Sequence, residues 1–251
     1  MSVNEKWKKF FGEDYLKFSE VILSPERTEY EVSQLLKILE LPEGSKILDL
    51  GCGQGRISIP LAKAGYQVTA LDGSEPLLTV AKQRAEEAGV FINFVCSDMQ
   101  KMNFENEFDA VLNLGTAFGY VAEERDDQLV LELVNKALVN EGTFIQDCEN
   151  RENKLKAANK IWEEMNGNIV WSKREFNSVT GRWREELFWT EEHETKSRLL
   201  DIRLYAATEL IKMTTNAGLT VQNVYGGLDL SELTMNSLRT VIVSKKVING
   251  G

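Results

Sequence analysis

The sequence predicts an α/β fold, a doubly wound and mostly parallel sheet of seven strands with helices on both faces and a small antiparallel β insertion. Three observations predict it. Short apolar runs alternate with helical stretches between residues 46 and 146, which is typical of right-handed β-α-β crossovers. Two more apolar runs lie near the C-terminus. Between these regions, at about 169–205, the pattern changes to short alternating stretches that are typical of an antiparallel meander.

Local patterns place the elements in order. Two amphipathic stretches, at about 4–20 and 26–39, predict N-terminal helices. Ser74 is the expected N-cap of a helix with Pro76 in its first turn. The predicted strands are 46–50, 67–72, 92–96, 108–112, 142–146, 220–225 and 238–243, and the helices among them are 55–64, 76–88, 126–138 and 206–216.

Three tryptophans mark the meander. Trp171, Trp183 and Trp189 all have odd numbers, and alternate residues of a strand point to the same face. We therefore expect them to share one buried face, as a small core rather than as a platform for stacking bases.

Length, composition and charge exclude several classes of protein. A chain of 251 residues fits one domain with an elaboration. The net charge of −10 disfavours a nucleic acid or an anionic lipid surface as a partner. The chain has no apolar run of about 18 residues, and its first residues lack the apolar segment of a secretory signal. We therefore expect a cytoplasmic protein with no membrane partner.

The cysteines and the histidine argue against a metal. Cys52, Cys96 and Cys148 are far apart in sequence, and His193 is the only histidine. A CxxC clamp is therefore absent, and zinc sites and hydrolase schemes that use a histidine become poor hypotheses. We expect the cysteines to be small buried hydrophobic residues.

The most informative stretch is Asp49-Leu50-Gly51-Cys52-Gly53-Gln54-Gly55-Arg56, where a strand runs through glycines into a helix. Such glycines allow a tight turn and let the backbone approach a ligand at the helix N-terminus. The dinucleotide fingerprint GxGxxG needs its third glycine at position 56, which Arg56 occupies. A nicotinamide or flavin cofactor therefore fits poorly, and Asp49 favours a cationic ligand group over a pyrophosphate.

Two further acids lie at strand ends. Asp72 ends the second strand, where a carboxylate can accept hydrogen bonds from both hydroxyls of a ribose. Asp98 follows the third strand, within reach of an adenine amino group if the strands align. Open α/β sheets bind ligands at the carboxyl ends of their strands. Together with Asp49, these acids fit a nucleoside with a cationic tail.

The pattern Asp49-x-Gly51-x-Gly53-x-Gly55, with the acids that follow it, resembles the class I S-adenosylmethionine-dependent methyltransferases, which have a Rossmann-like fold. The resemblance covers about residues 45–148. It implies that the methionine moiety lies against the glycines, the ribose against Asp72, and the adenine against Asp98 and the Met99 amide, with Asn113 near the sulfonium. The implied cofactor-binding residues are Asp49, Gly51, Gly53, Gly55, Asp72, Gly73, Asp98, Met99 and Asn113.

An antiparallel insertion precedes Arg203-Leu204-Tyr205-Ala206-Ala207-Thr208-Glu209-Leu210-Ile211, and the fourth strand runs into Asn113-Leu114-Gly115-Thr116-Ala117-Phe118-Gly119-Tyr120. These features resemble one subgroup, the small-molecule methyltransferases that include amino-sugar N,N-dimethyltransferases. The resemblance implies N-terminal helices over 1–40 that cover the cofactor pocket. It implies a cofactor-binding α/β domain made of 41–150 and 206–247. It places 151–205, a helical segment and the β insertion, on the substrate side.

This subgroup suggests three residues on the substrate side, namely Tyr15, Phe118 and Tyr120. Because Leu114-Gly115-Thr116 follows Asn113, the proline-bearing tetrad of enzymes that methylate exocyclic base amines is absent. We expect a small-molecule acceptor and a homodimer that forms through the β insertion. Arg27 could meet the cofactor carboxylate, but we expect a surface arginine.

The sequence thus predicts methyl transfer from S-adenosylmethionine to an N or O nucleophile of a small molecule, with S-adenosylhomocysteine as the product. It assigns no catalytic base and no metal. The alternatives are an RNA or protein methyltransferase, an aminopropyl transferase that uses decarboxylated cofactor, and a non-catalytic cofactor-binding protein. A nicotinamide oxidoreductase is the poorest fit.

Overall fold

The computed structural model describes residues 6–12, 15–16, 23–156, 162–165, 168–191 and 193–247. Its helices there are α1 Lys6–Phe10, α2 Pro25–Leu39, α3 Ser58–Lys63, α4 Glu75–Glu87, α5 Glu124–Ala137, α6 Arg151–Lys154 and α7 Ala207–Asn216, with a 3-10 turn at Met99–Lys101. Its strands are β1 Lys46–Leu50, β2 Gln67–Asp72, β3 Asn93–Cys96, β4 Phe108–Asn113, β5 Leu138–Glu149, β6 Trp162–Met165, β7 Asn168–Asn177, β8 Arg182–Glu191, β9 Glu194–Arg203, β10 Leu219–Tyr225 and β11 Arg239–Lys246.

The predicted seven-stranded sheet is confirmed, with the strand order β10-β11-β5-β4-β1-β2-β3. Strands β1 to β5 run parallel, and β11 pairs antiparallel with both β5 and β10. The chain order reverses at β1, which pairs with β2 on one side and β4 on the other. In open α/β sheets the crevice at such a reversal, outside the carboxyl ends of the strands, is the place where ligands bind.

The core lies on both faces of this sheet. Neighbouring residues of β1 point to opposite faces, as a pleated strand requires. Leu48 packs in the cluster that contains Val130 and Val134 of α5. Ile47 packs in the other cluster, with Leu35 of α2. The sheet is therefore covered by helices on both faces, as the sequence predicted.

Helix α4 begins as predicted. The Ser74 side chain accepts a hydrogen bond from the Leu77 N–H at 3.4 Å, and Pro76 lies in the first turn. The helix predicted over 55–64 begins only at Ser58, because Gly53 and Gly55 have positive φ values that an α-helix cannot contain. Of the helix predicted over 4–20, residues 6–12 and 15–16 are described, and the rest lies outside the described residues.

The β insertion is a second antiparallel sheet with the order β6-β7-β8-β9, of which β6 had not been predicted. The expectation that its tryptophans share a buried face is wrong for Trp171, which is 53% exposed, while Trp183 and Trp189 are buried. Phe176 faces Trp183 across the β7/β8 pair, and Trp171 faces Phe188. Odd-numbered residues of β7 therefore share a face with even-numbered residues of β8.

The cysteines differ in part from the expectation that all three are buried. Cys52 and Cys148 are buried, but Cys96 is exposed. His193 is exposed in the turn between β8 and β9, with a φ of 67°. Within the described part of the chain, no group of three or more His, Cys, Asp or Glu side chains could hold a metal ion. None of the described helices is both long enough and apolar enough to cross a membrane.

Candidate functional site

A pocket opens where the strand order reverses, at the carboxyl ends of the central strands. Its empty space, measured out to the open mouth, is about 1130 Å³. The loops after β1, β2, β3 and β4 line it, together with side chains from the N-terminal segment. The predicted site residues that line it are Tyr15, Asp49, Gly51, Gly53, Asp72, Gly73, Asp98, Met99 and Tyr120.

The glycine loop after β1 brings its backbone close to the loop after β4. Gly51 has a φ of +85°, which favours glycine, and its N–H donates to the Leu71 carbonyl at 2.8 Å. A Cβ at Gly51 would lie 2.5 Å from the Ala117 Cβ. The absence of a side chain at Gly51 therefore allows the two loops to touch.

Asp49 lies buried at the end of β1, beside the glycine loop. The Ser58 hydroxyl donates to its Oδ2 at 2.5 Å, which ties β1 to the first turn of α3. Burial raises the pKa of Asp49 to about 6, although the Ser58 hydrogen bond and the nearby Arg56 charge oppose the shift. A cationic ligand would stabilise the ionised form of this carboxyl group.

Asp72 uses both carboxylate oxygens to hold backbone groups. The Gly53 N–H donates to Oδ2 and the Ser74 N–H donates to Oδ1, each at 2.8 Å. Burial raises the pKa of Asp72, and these hydrogen bonds oppose the shift. Because a carboxylate has about four acceptor positions, it can still accept two hydroxyl groups of a ligand diol.

Asp98 and Met99 line the same pocket after β3. Asp98 caps the 3-10 turn, since its Oδ1 accepts the Gln100 N–H at 3.0 Å. The Met99 Cε would lie 3.8 Å from a Cβ at Gly51. The third strand end therefore packs against the glycine loop.

Aromatic side chains of the N-terminal segment line the pocket from another side. The Trp7 ring lies where a side chain at Gly73 would lie. Phe11 contacts both Tyr15 and Tyr120, with ring centroids 5.0 and 5.1 Å apart. Burial raises the pKa of both tyrosines, so their hydroxyls stay protonated at neutral pH.

One hydrogen bond ties this segment to the α/β domain. The Ser74 hydroxyl, which caps α4, donates to the Phe11 carbonyl at 2.6 Å. The same serine is therefore both a helix cap and an anchor for the aromatic side chains.

A buried ion pair supports the loop after β4. Asp147 accepts the Gly115 N–H with Oδ2 at 3.1 Å, and its carbonyl accepts the Thr116 N–H at 3.0 Å. Arg239 of β11 donates to both carboxylate oxygens of Asp147, at 2.7 and 2.8 Å. The last strand of the sheet thus helps to position a wall of the pocket.

Three predicted site residues lie outside the pocket lining. A Cβ at Gly55 would lie 3.2 Å from the Ala81 Cβ, so this glycine allows α4 to pack closely. Asn113 is buried and donates from Nδ2 to the Leu50 carbonyl at 2.8 Å, which links β4 to β1. Phe118 is buried against Tyr205, with ring centroids 5.6 Å apart.

Two charged lining residues, Arg56 and Asp127, were not among the predicted site residues. Arg56 had been seen only as a residue that breaks the dinucleotide fingerprint. Its Nη1 lies 2.6 Å from Glu31, which also pairs with Arg27 at 2.7 Å. Asp127 is buried in the first turn of α5. Acids are common in that position because a negative charge interacts favourably with the positive end of the helix dipole. Nothing in its local sequence marks it.

Comparison with known families agrees with this geometry. Residues 47–142 match the family model described as a methyltransferase domain. This stretch, which contains the glycine loop and strands β1 to β4, is therefore similar to methyltransferase domains.

Curated proteins resemble this chain in sequence over about half of its length. It is 32% identical over 132 residues to a ubiquinone biosynthesis O-methyltransferase of Rickettsia felis, across 53% of this chain and 52% of that protein. It is 30% identical over 136 residues to a glycine/sarcosine N-methyltransferase of Aphanothece halophytica, across 53% of this chain and 51% of that one. The chain thus spans about half the length of these curated relatives.

Solved structures extend the likeness in fold beyond residues 47–142. An S-adenosylmethionine-dependent methyltransferase from Clostridium acetobutylicum has a TM-score of 0.79 at 16% identity, across 96% of this chain and 99% of that one. The amino pentose methyltransferase CalS10 from Micromonospora echinaspora has a TM-score of 0.66 at 16% identity, across 88% of this chain and 92% of that one. At these identities the likeness is one of fold.

We predict that Gly51→Ala destabilises the protein by about 2–3 kcal/mol, because it adds a clash with Ala117 to the cost of a positive φ. Urea unfolding measures this free energy. In an Ala117→Gly background, Gly51→Ala should lower the free energy of unfolding by only about 1 kcal/mol, because only the cost of the positive φ remains. Gly115→Ala is the matched control, since Gly115 has a φ of +66° and nothing lies within 4 Å of its Cβ position. Equal losses for Gly51→Ala and Gly115→Ala would contradict the contact.

Proposed function

We propose that this chain is an enzyme that transfers the methyl group of S-adenosylmethionine to an N or O nucleophile of a small molecule. One observation carries the proposal. Asp49, Asp72 and Asp98 end or follow three neighbouring strands, and all line one pocket beside a glycine loop. Such a set of carboxylates suits a ligand that has a positive charge, a ribose diol and an amino group.

The residues present fit this cofactor. Asp72 retains acceptor positions for the ribose hydroxyls, and we assign the adenine to Asp98 and Met99, which line the same pocket. Arg56 is the one cationic side chain among the described lining residues, so it is our candidate for the methionine carboxylate. Bound S-adenosylmethionine supplies a methyl group activated by a sulfonium.

The contribution of the protein to such a transfer is mainly positional, because displacement at a methyl group needs the nucleophile held in line with it. Phe11, Tyr15 and Tyr120 line the pocket, and we expect their rings to limit the access of water to it.

Charge and relatives support a small molecule over RNA or protein as the acceptor. The charged residues among those described in the pocket lining are four acids and one arginine, which disfavours a polyanionic acceptor. The two curated relatives are named for ubiquinone biosynthesis and for glycine and sarcosine. Both names indicate small-molecule chemistry.

We predict that calorimetric titration detects binding of S-adenosylmethionine and S-adenosylhomocysteine, and none of NAD. Release of S-adenosylhomocysteine is then measured with a panel of amines, amino sugars and phenols. Tight NAD binding without binding of the other two would refute the proposal. Cofactor binding without turnover of any acceptor would favour a non-catalytic binding protein.

We predict that Asp72→Ala weakens S-adenosylmethionine binding by about 2 kcal/mol or more, roughly 30-fold, because it removes a charge-assisted pair of hydrogen bonds. Titration calorimetry measures the affinity. Glu75→Gln is the control, since it removes the same charge at an exposed position outside the pocket lining. If Asp72→Ala kept full affinity, the ribose assignment would be wrong.

We also propose that two copies pair through the β insertion. Trp162, Ile169 and Trp171 lie on one face of it, since Trp162 is opposite Trp171 in the β6/β7 pair, and each is about half exposed. Exposed apolar patches of this kind mark interaction surfaces.

Sedimentation of the wild type at micromolar concentration is expected to show a dimer, and Trp171→Glu a monomer. Val179→Glu is the control, because Val179 is exposed in the β7/β8 turn, outside the strands that carry the patch. A monomeric wild type would exclude this pairing.

A further inference from the structure

Asp127 is a buried carboxyl group that the cofactor assignment leaves unused. The three acids proposed to hold the cofactor belong to the ends of β1, β2 and β3. Asp127 lies instead in the first turn of α5, and it lines the pocket together with Gly119 and Tyr120 of the loop after β4. It therefore belongs to the wall that the cofactor assignment leaves for the acceptor.

Two neutral donors hold this carboxyl group in place. The Tyr205 hydroxyl donates to Oδ2 at 2.7 Å, and the Gly119 N–H donates to Oδ1 at 3.2 Å. A carboxylate has about four acceptor positions, so two remain for a ligand. The group is rigidly placed without being saturated.

No cation among the described residues forms a direct ion pair with Asp127. The nearby Arg182 pairs with Asp201 at 2.6 Å, and the nearby Arg203 pairs with Glu124 at 3.2 Å. Burial raises the pKa of Asp127 to about 7, although its hydrogen bonds and these two arginines oppose the shift. A buried carboxylate without a counter-ion is costly, and a ligand cation would remove that cost.

The rest of this wall is uncharged. The described lining residues from Leu114 to Val121 carry no charge, and Tyr120 is in contact with the Phe11 ring. Aromatic faces attract cations. One carboxylate beside aromatic rings is a typical environment for an organic ammonium group.

We infer that Asp127 binds and orients the methyl acceptor, and that this acceptor is an amine. The inference rests on the proposed methyl transfer and names its substrate class. An acceptor that enters as an ammonium gives one proton to the Asp127 carboxylate, which leaves a lone pair on nitrogen. That pair forms the new N–C bond as the S–C bond breaks, and the S–C electrons remain on sulfur. The product is a methylated ammonium, and the proton on Asp127 leaves to water.

The test uses the full chain saturated with S-adenosylhomocysteine and three pairs of probes that differ in one group. The pairs are benzylamine and benzyl alcohol, tyramine and tyrosol, and glucosamine and glucose. Calorimetry at neutral pH measures each affinity. In at least one pair we expect the amine to bind about tenfold more tightly or better, the usual effect of a hydrogen bond to a charged group. Asp127→Asn should abolish this preference and leave S-adenosylhomocysteine affinity unchanged.

Two further variants separate recognition from a structural role. Tyr205→Phe removes a hydrogen bond to Asp127 and keeps the charge, so the amine preference should persist. Asp126→Asn makes the same charge change one residue away and should behave like the wild type. If Asp127→Asn and Tyr205→Phe weakened amine and alcohol equally, Asp127 would only support the loop, and the inference would be overturned.

The failures of the two proposals are distinguishable. Absence of S-adenosylmethionine binding would overturn the proposed function and this inference with it. Normal cofactor binding without amine preference, whether both members of each pair bind equally or neither binds, would overturn the inference alone.

Discussion

The contact between Gly51 and Ala117 is the constraint on which the pocket depends. It joins the loops after β1 and β4, the two strands at which the sheet reverses its order. A side chain at Gly51 would separate these loops. The position of Ala117 depends in turn on Asp147, which holds the N–H groups of Gly115 and Thr116, and on Arg239, which neutralises Asp147. A buried pair that spans β5 and β11 thus supports a contact made at the centre of the sheet.

Asp72 and Ser74 each connect several elements around the pocket. Asp72 holds the N–H groups of Gly53 and Ser74 with the same oxygens that we assign to the ribose. Ser74 caps α4 and also donates to the Phe11 carbonyl. The glycine loop, the start of α4 and the aromatic segment are therefore connected through one short stretch of chain. Changes at these positions alter both the stability of the protein and the shape of its pocket.

The acids of the pocket fall into two sets. Asp49, Asp72 and Asp98 lie at or just after the carboxyl ends of parallel strands, which meet at one edge of the sheet. Asp127 comes from a helix, and Tyr205, which follows the β insertion, holds it. Burial raises the pKa of Asp49 to about 6 and of Asp127 to about 7. A cationic ligand would therefore stabilise the ionised form of either carboxyl group.

The sequence by itself determined the sheet, most element boundaries and the three strand-end acids. These features could be predicted because apolar periodicity and glycine turns are local signals, and because parallel strands place their carboxyl ends at one edge of the sheet. Tertiary structure alone decided that Gly55 lies against α4, that Asn113 bonds the Leu50 carbonyl, that Trp171 faces outward, and that Asp127 lines the pocket. Those outcomes depend on strand register, helix packing and hydrogen bonds between residues far apart in sequence, such as Asp127 and Tyr205, which no local pattern records.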